Sequence, residues 1–279
     1  MPSLTLRDRI VSTDLPALIM GIVNCTSDSF YAESRGDAEL AQKLIAQGAD
    51  ILDLGAESTR PGAAYVSAEE EIRHLVPVIT QIRKHSDIPI SVDTRKLPVM
   101  KAAFEAGADI VNDISALEDD PGLGDFAARH ELPVILMHKR GTPGTMQSDT
   151  RYTDVFAEVS SYLTSRAAFA ENCGVRKDRI IVDPGVGFGK TTQQNEVLVA
   201  RCGQLCEKKY TVLMALSRKT MIGDIVNRPS EERLWGTLAA NLYAVLSGAS
   251  VVRVHDVAAC RDTLAVWKAL QTQGGCVTQ

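Results

Sequence analysis

The sequence predicts a single (β/α)8 barrel spanning residues 1–279. Three observations carry the prediction: eight short apolar runs of strand length, segments of helical spacing between them, and connections without a Pro/Ser-rich linker. Strands of a parallel sheet are covered on both faces, so they read as continuous apolar runs rather than as alternation. A doubly wound open sheet is the other arrangement that such units can take.

Residues 1–14 alternate weakly and are expected to form a short N-terminal hairpin that closes the bottom of the barrel. The predicted strands are Leu18–Val23, Ile51–Leu54, Ile88–Val92, Ile110–Asn112, Val134–Met137, Ile180–Asp183, Thr211–Leu216 and Val251–Val254. A helix begins at Ser67, where steps of three and four place Ile72, Leu75, Val76, Ile79 and Ile82 on one face. Glu70 stands three residues beyond Ser67, the spacing of a capping box. The other predicted helices run about Asp37–Gln47, Pro98–Ala106, Gly122–Arg129, Asp154–Cys173, Thr192–Cys206, Ser230–Leu246 and Asp256–Thr272. A local repeat, Gly48-Ala49-Asp50, Gly107-Ala108-Asp109 and Gly248-Ala249-Ser250, ends helices and enters strands, and glycine suits the left-handed cap that such an ending needs.

Composition excludes several classes. With 30 basic and 35 acidic residues the net charge is −5, and 45% hydrophobic with 23% charged content is that of a globular chain with a core, not of a disordered, collagenous or coiled-coil one. No basic excess is present to drive binding to a phosphate backbone, so no nucleic-acid partner is expected. The longest early apolar run, Leu15–Val23, is shorter than the ~18 to 20 residues of a membrane span and is not followed by a small-residue cleavage site. Six scattered cysteines suit free thiols in a reducing compartment, and the expectation is a mature cytoplasmic protein. Cys202 and Cys206 are spaced i,i+4 in a predicted helix but lack a second pair, so they are read as structural.

A barrel of this kind builds its active site at the carboxyl ends of its strands. Asn24, the Glu57–Gly62 segment, Asp93, Asn112 with Asp113, His138, Asp183, Ser217-Arg218-Lys219, and Arg253 with His255 occupy those ends in turn. Arg218, Lys219, Arg253 and His255 follow the seventh and eighth strands, where guanidinium and ammonium donors suit a phosphate or diphosphate. Asp93, Asn112 and Asp183 match a heterocycle edge that offers N–H donors and a carbonyl. The stretch from Gly185 to Thr191 looks like the end of a phosphate-binding loop, but Pro184 stands where that motif requires glycine. It is read instead as a flexible loop carrying Phe188 over a ligand.

These residues fall in ordered blocks: MGIVNCTSDSF (20–30), DLGAESTRPGA (53–63), SVDTRK (91–96), VNDISAL (111–117), LMHKRGTPGTMQ (136–147), DPGVGFGK (183–190), SRKTMIG (217–223) and VRVHDV (252–257). Over essentially its whole length the chain resembles the dihydropteroate synthases of the stand-alone bacterial type. The resemblance implies a (β/α)8 transferase of folate synthesis. Its substrates would be 4-aminobenzoate and 6-hydroxymethyl-7,8-dihydropterin diphosphate, and it would release diphosphate with Mg²⁺ assistance, acting as a homodimer. It places the pterin among Asp93, Asn112, Met137, Asp183 and Lys219. It places the aminobenzoate near Thr59, Arg60, Pro61, Phe188 and Ser217, and the diphosphate near Asn24, Arg253 and His255, with Mg²⁺ on Asn24. Asp93, Asp183, Lys219, Arg253 and His255 become the catalytic set. Ala215 stands where the family usually has glycine beside the pterin. The alternatives are a pterin-dependent methyltransferase of the same superfamily, which needs no diphosphate site, and a non-catalytic pterin-binding paralogue.

Overall fold

The computed structural model describes residues 1–25, 32–58, 65–141 and 150–274. Eight parallel strands close into a barrel rather than an open sheet: β3 (Leu18–Asn24), β4 (Ile51–Gly55), β5 (Ile90–Asp93), β6 (Ile110–Asp113), β7 (Val134–Met137), β8 (Ile180–Asp183), β9 (Thr211–Met214) and β10 (Val251–Val254), with β10 pairing back onto β3. The expected hairpin is present as β1 (Ser3–Thr5) and β2 (Ile10–Ser12), paired antiparallel. Leu4 and Leu6 cluster with Leu18, Ile51, Ile110, Ile135, Ile181, Leu213 and Val251, which are inward residues from the early part of seven of the eight strands, so the hairpin plugs the amino-terminal end of the barrel. Buried Arg179 ties it in place, donating from Nη2 to the Leu6 carbonyl at 3.2 Å while pairing with Glu131.

Leu52, Leu54, Val92, Val111, Val134, Leu136, Val252 and Val254 face the other way, into the core shared with the surrounding helices. The helices are α1 (Ala32–Ala46), α2 (Ala68–Arg83), α3 (Leu97–Ala106), α4 (Gly122–Arg129), α5 (Val155–Asn172), α6 (Thr192–Ala200), α7 (Thr220–Val226), α8 (Leu234–Leu246) and α9 (Val257–Gly274). At the start of α2 the Ser67 hydroxyl accepts from the Glu70 N–H at 3.2 Å, the first half of the expected box. The complete reciprocal box forms at Thr191 and Gln194, at the start of α6.

The repeated Gly-Ala-Asp has a shared physical role. Gly48, Gly107 and Gly248 adopt φ of +88°, +112° and +112°, and the alanine N–H that follows returns to its helix. The aspartates then reach sideways to the preceding strand: Asp50 accepts from the Ile19 N–H at 2.8 Å and Asp109 from the Ile90 N–H at 2.9 Å. That second bond and Pro89, which has no N–H, explain why β5 starts at Ile90 rather than Ile88.

Two helical expectations are corrected. The helix predicted over Thr192–Cys206 ends at Ala200, and a 3-10 segment, Cys202–Lys208, follows with Cys206 at φ +49°. Gly203 causes the break by docking its backbone on the turn after α8: its N–H donates to the Ser247 carbonyl at 3.0 Å, and a Cβ there would lie 2.2 Å from that oxygen. Cys202 and Cys206 are thus not one helical turn apart; their thiols donate to the carbonyls of Ala244 and Ser160. Residues Ser230–Glu232 form a separate 3-10 turn, and α8 begins only at Leu234. Helix α7 ends on Asn227 in the left-handed region at φ +51°.

Candidate active site

Because side chains alternate along a strand, the residue two places beyond each inward apolar residue also points into the barrel, one layer nearer its carboxyl end. Ile51 leads to Asp53, Ile110 to Asn112, Ile135 to Met137, Ile181 to Asp183 and Val251 to Arg253, and on β5 the same level holds Asp93. The apolar plug therefore gives way, within one step, to a floor of three carboxylates, one amide, one thioether and one guanidinium. Ala215 lies on this inward face, beyond Leu213.

Asp53, which strand-end reading alone passes over, is the hub of this floor. It is fully buried; it accepts the Arg253 Nε at 2.6 Å and the Asn112 amide at 3.1 and 3.2 Å. Its signal was in the sequence all along, as an acidic residue inside the apolar run Ile51–Leu54. Arg253 also reaches Asp93, Nη2 to Oδ2 at 3.5 Å. Gly55 leaves room for that carboxylate, since a Cβ there would stand 3.3 Å from the Asp93 Cβ. Burial, reinforced by the like charge of Asp53, pushes the Asp93 carboxyl up to about 7. Burial works against the Arg253 charge, yet Asp53, Asp93 and Asp183 hold its pKa above the ordinary value.

The opposite wall joins Asp183, Lys219 and Phe188. Burial raises the Asp183 carboxyl, with the Lys219 charge and the Gly185 N–H, 2.7 Å from Oδ1, pulling the other way. Burial lowers the Lys219 ammonium to about 8 against the pull of Asp183. Lys219 donates to the Val186 carbonyl and lies 4.7 Å from the centre of the Phe188 ring. Ser217 and His255 meet as well: the serine oxygen accepts the His255 backbone N–H at 3.2 Å and stands 2.9 Å from Nδ1, which fixes the imidazole's orientation. No local spacing foretold this pair, since 38 residues separate its members. Arg218 is committed elsewhere, in a two-bond pairing with Asp256 at 3.0 and 2.7 Å.

Asn24 ends β3 and is exposed, opposite Gly55 in register. Thr59, Arg60 and Pro61, expected beside the aminobenzoate, lie outside the described residues. The chain on either side of them is anchored by charge. Glu57 accepts Arg95 at 3.1 Å and Lys96 at 3.1 Å, and Lys96 also donates to the Val66 carbonyl at 2.6 Å and to Glu71, which is fully buried. Burial raises the Glu71 carboxyl, and Lys96 and Thr94 counter it. Lys96→Met strands Glu71 without its cation, so about 3 kcal/mol of stability should be lost. Denaturant unfolding measures it; a loss below about 1 kcal/mol would mean the pair is replaceable.

A mouth of this construction, lined by carboxylate and amide acceptors for a flat N–H-bearing ring with a guanidinium and an ammonium among them, defines a barrel that binds a polar heterocycle through its edge. The profile of the family described as "Pterin binding enzyme" matches residues 20–255. The chain is 43% identical over 256 residues to the dihydropteroate synthase of Haemophilus influenzae, covering 90% of this chain and 93% of that one. Among solved structures, Xanthomonas albilineans dihydropteroate synthase with 4-aminobenzoic acid superposes with a TM-score of 0.89 at 44% identity, covering 97% of this chain and 98% of that one. The same organism's enzyme in complex with 7,8-dihydropteroate gives 0.86 at 41%, with coverages of 97% and 99%. The chain belongs to the pterin-binding enzymes, in the dihydropteroate synthase family.

Proposed function

We infer that the protein is a transferase of folate biosynthesis, a dihydropteroate synthase that joins 4-aminobenzoate to 6-hydroxymethyl-7,8-dihydropterin diphosphate, and that residues 1–279 act as one pterin-binding barrel. The observation that carries this reading is the inward layer of Asp93, Asn112 and Asp183 beside Arg253. It offers a ring edge its acceptors and a leaving group its cation in a single mouth. Similarity to enzymes solved with 4-aminobenzoic acid and with 7,8-dihydropteroate supports the aminobenzoate substrate and the pterin-bearing product.

In this reading the exocyclic C–O bond of the pterin substrate breaks, diphosphate leaves with the electron pair, and the amine of 4-aminobenzoate forms the new C–N bond and gives up a proton. Asp93, Asn112, Met137, Asp183 and Lys219 hold the pterin, and the two carboxylates stabilise positive charge that develops on the dihydropterin. Arg253 keeps Nε on Asp53 and turns further N–H donors to the diphosphate beside His255 and Asn24. Ser217 and Phe188, with Thr59, Arg60 and Pro61, receive the aminobenzoate. Mg²⁺ fits as a cofactor held mainly by the substrate. Among the described residues no cluster of three His, Cys, Asp or Glu side chains could chelate it, whereas the exposed Asn24 amide can serve as its one protein ligand. When bound, it would supply positive charge to the diphosphate.

Apolar side chains exposed on α8 and α9, including Trp235 at 77%, Leu246, Val266 and Leu270, support a homodimer formed through these helices. The five cysteines among the described residues are free thiols, which supports a reducing, cytoplasmic setting, and no described helix is long and apolar enough to cross a membrane.

The protein mixed with dihydropterin diphosphate, 4-aminobenzoate and Mg²⁺ should yield dihydropteroate and diphosphate in equal amounts. Pterin binding without either product would instead mark a non-catalytic pterin-binding protein. Arg253→Ala should weaken dihydropterin diphosphate at least ~10-fold more than a pterin lacking phosphate, because charge-assisted bonds to the leaving group go with it. Calorimetry compares the two ligands; equal losses would show Arg253 acting only through Asp53 and Asp93.

A further inference from the structure

The turn between β8 and α6 is secured by a buried lysine outside the assigned site. Lys190 is 3% exposed. Its Nζ donates to the carbonyls of Gly185 and Phe188, each at 2.9 Å, and stands 2.9 Å from Nδ1 of His138, three close partners for an amine whose pKa burial lowers to about 7 against the pull of Asp183. Burial and the Lys190 charge hold the His138 imidazole neutral, with a pKa of about 3, so its Nδ1 lone pair can accept. The turn cannot be filled by other residues at its first point: Gly185 has φ +66°, and a Cβ there would lie 1.9 Å from the His138 carbonyl oxygen. On its far side the Gly187 N–H donates to the buried Asn195 amide oxygen at 3.0 Å, and Lys219 holds the Val186 carbonyl. Gly187 and Gly189 also take positive φ, so the glycines set a fixed left-handed path rather than simply loosening the chain.

We propose that Lys190, backed by His138, is a positioning residue for the second substrate: by holding the Gly185 and Phe188 carbonyls it stations the Phe188 ring against Lys219, where 4-aminobenzoate docks. The inference rests on the dihydropteroate synthase reading above. Lys190 faces carbonyls and an imidazole behind the turn, so its removal should disturb the aminobenzoate side of the mouth and spare the pterin floor built on Asp53.

Steady-state kinetics of Lys190→Met, which keeps the chain length and removes the donors, should show KM for 4-aminobenzoate raised at least ~10-fold, with KM for dihydropterin diphosphate and calorimetric pterin affinity changed less than about twofold. His138→Leu should reproduce the split. His138→Asn, whose amide oxygen can accept near the Nδ1 position, should restore the aminobenzoate KM to within about threefold of the natural value. Turnover by the unaltered protein without a KM split in either Lys190→Met or His138→Leu overturns the proposal alone. A matched loss for both substrates does the same, because it marks a role in folding only. If Lys190→Met does not fold, the two His138 variants decide the question. Absence of turnover in the unaltered protein overturns the functional reading, and this inference falls with it.

Discussion

Asp53→Ala is expected to cost about 3–5 kcal/mol of folding stability and to abolish measurable pterin binding, the largest effect of any single substitution on the barrel floor. The carboxylate is fully buried and joins both Arg253, at 2.6 Å, and Asn112, at 3.1 Å. Removing it leaves a guanidinium in a site of low dielectric without its nearest counter-ion and frees the amide to rotate away from the ring edge. Asp53→Asn separates the two consequences, because it keeps the volume and one acceptor while losing the charge. It should retain more stability than alanine yet still bind pterin weakly. Denaturant unfolding and calorimetric titration of both variants check this. Native stability in Asp53→Ala would show that Arg253 finds other partners.

The second large effect is on affinity. Asp93→Asn should weaken pterin binding by ~2–4 kcal/mol, or about 30- to 1,000-fold, since an amide replaces a charged acceptor in a largely buried site. The same change should stabilise the ligand-free protein at neutral pH, and the sign follows from the raised pKa. Asp93 titrates near 7 when folded, against an ordinary 3.8, so between those values the folded state binds the proton that the unfolded state has lost. Its contribution to stability is therefore full below about pH 4 and is lost as the pH rises through 7. Asparagine has no such loss. The stability difference between variant and natural protein should grow from pH 4 to 7 in favour of asparagine and level off above. A difference that is flat with pH would mean Arg253 already holds Asp93 ionised, and unchanged pterin affinity would mean the ring is not held there.

Much of this was legible in the sequence, for a physical reason that also sets the limit. Strand runs and their polar ends are local patterns, so the barrel, the hairpin plug and the placement of Asp93, Asn112, Asp183 and Arg253 at strand ends could be read directly. Asp53 lies inside its strand run rather than at its end, so strand-end polarity does not reveal it, whereas the alternation that turns Ile51 inward turns Asp53 inward as well. The pairs Ser217–His255, Lys190–His138 and Lys96–Glu71 join residues 38, 52 and 25 positions apart, and only the closed barrel makes them neighbours. Helix α7 escaped because its seven residues are too short to display a face. The break after Ala200 depends on Gly203 meeting Ser247, a contact that no window on the sequence contains.

The most direct test of the central claim, that the inward layer two residues above the apolar plug is the pterin floor, is a crystal structure of the protein with dihydropterin diphosphate. The ring's N–H edge should lie within about 3 Å of the Asp93 and Asp183 carboxylates, with Asn112 beside it and the diphosphate against Arg253 and His255. A ring bound away from Asp93 and Asp183, or a diphosphate that does not touch Arg253, would contradict it.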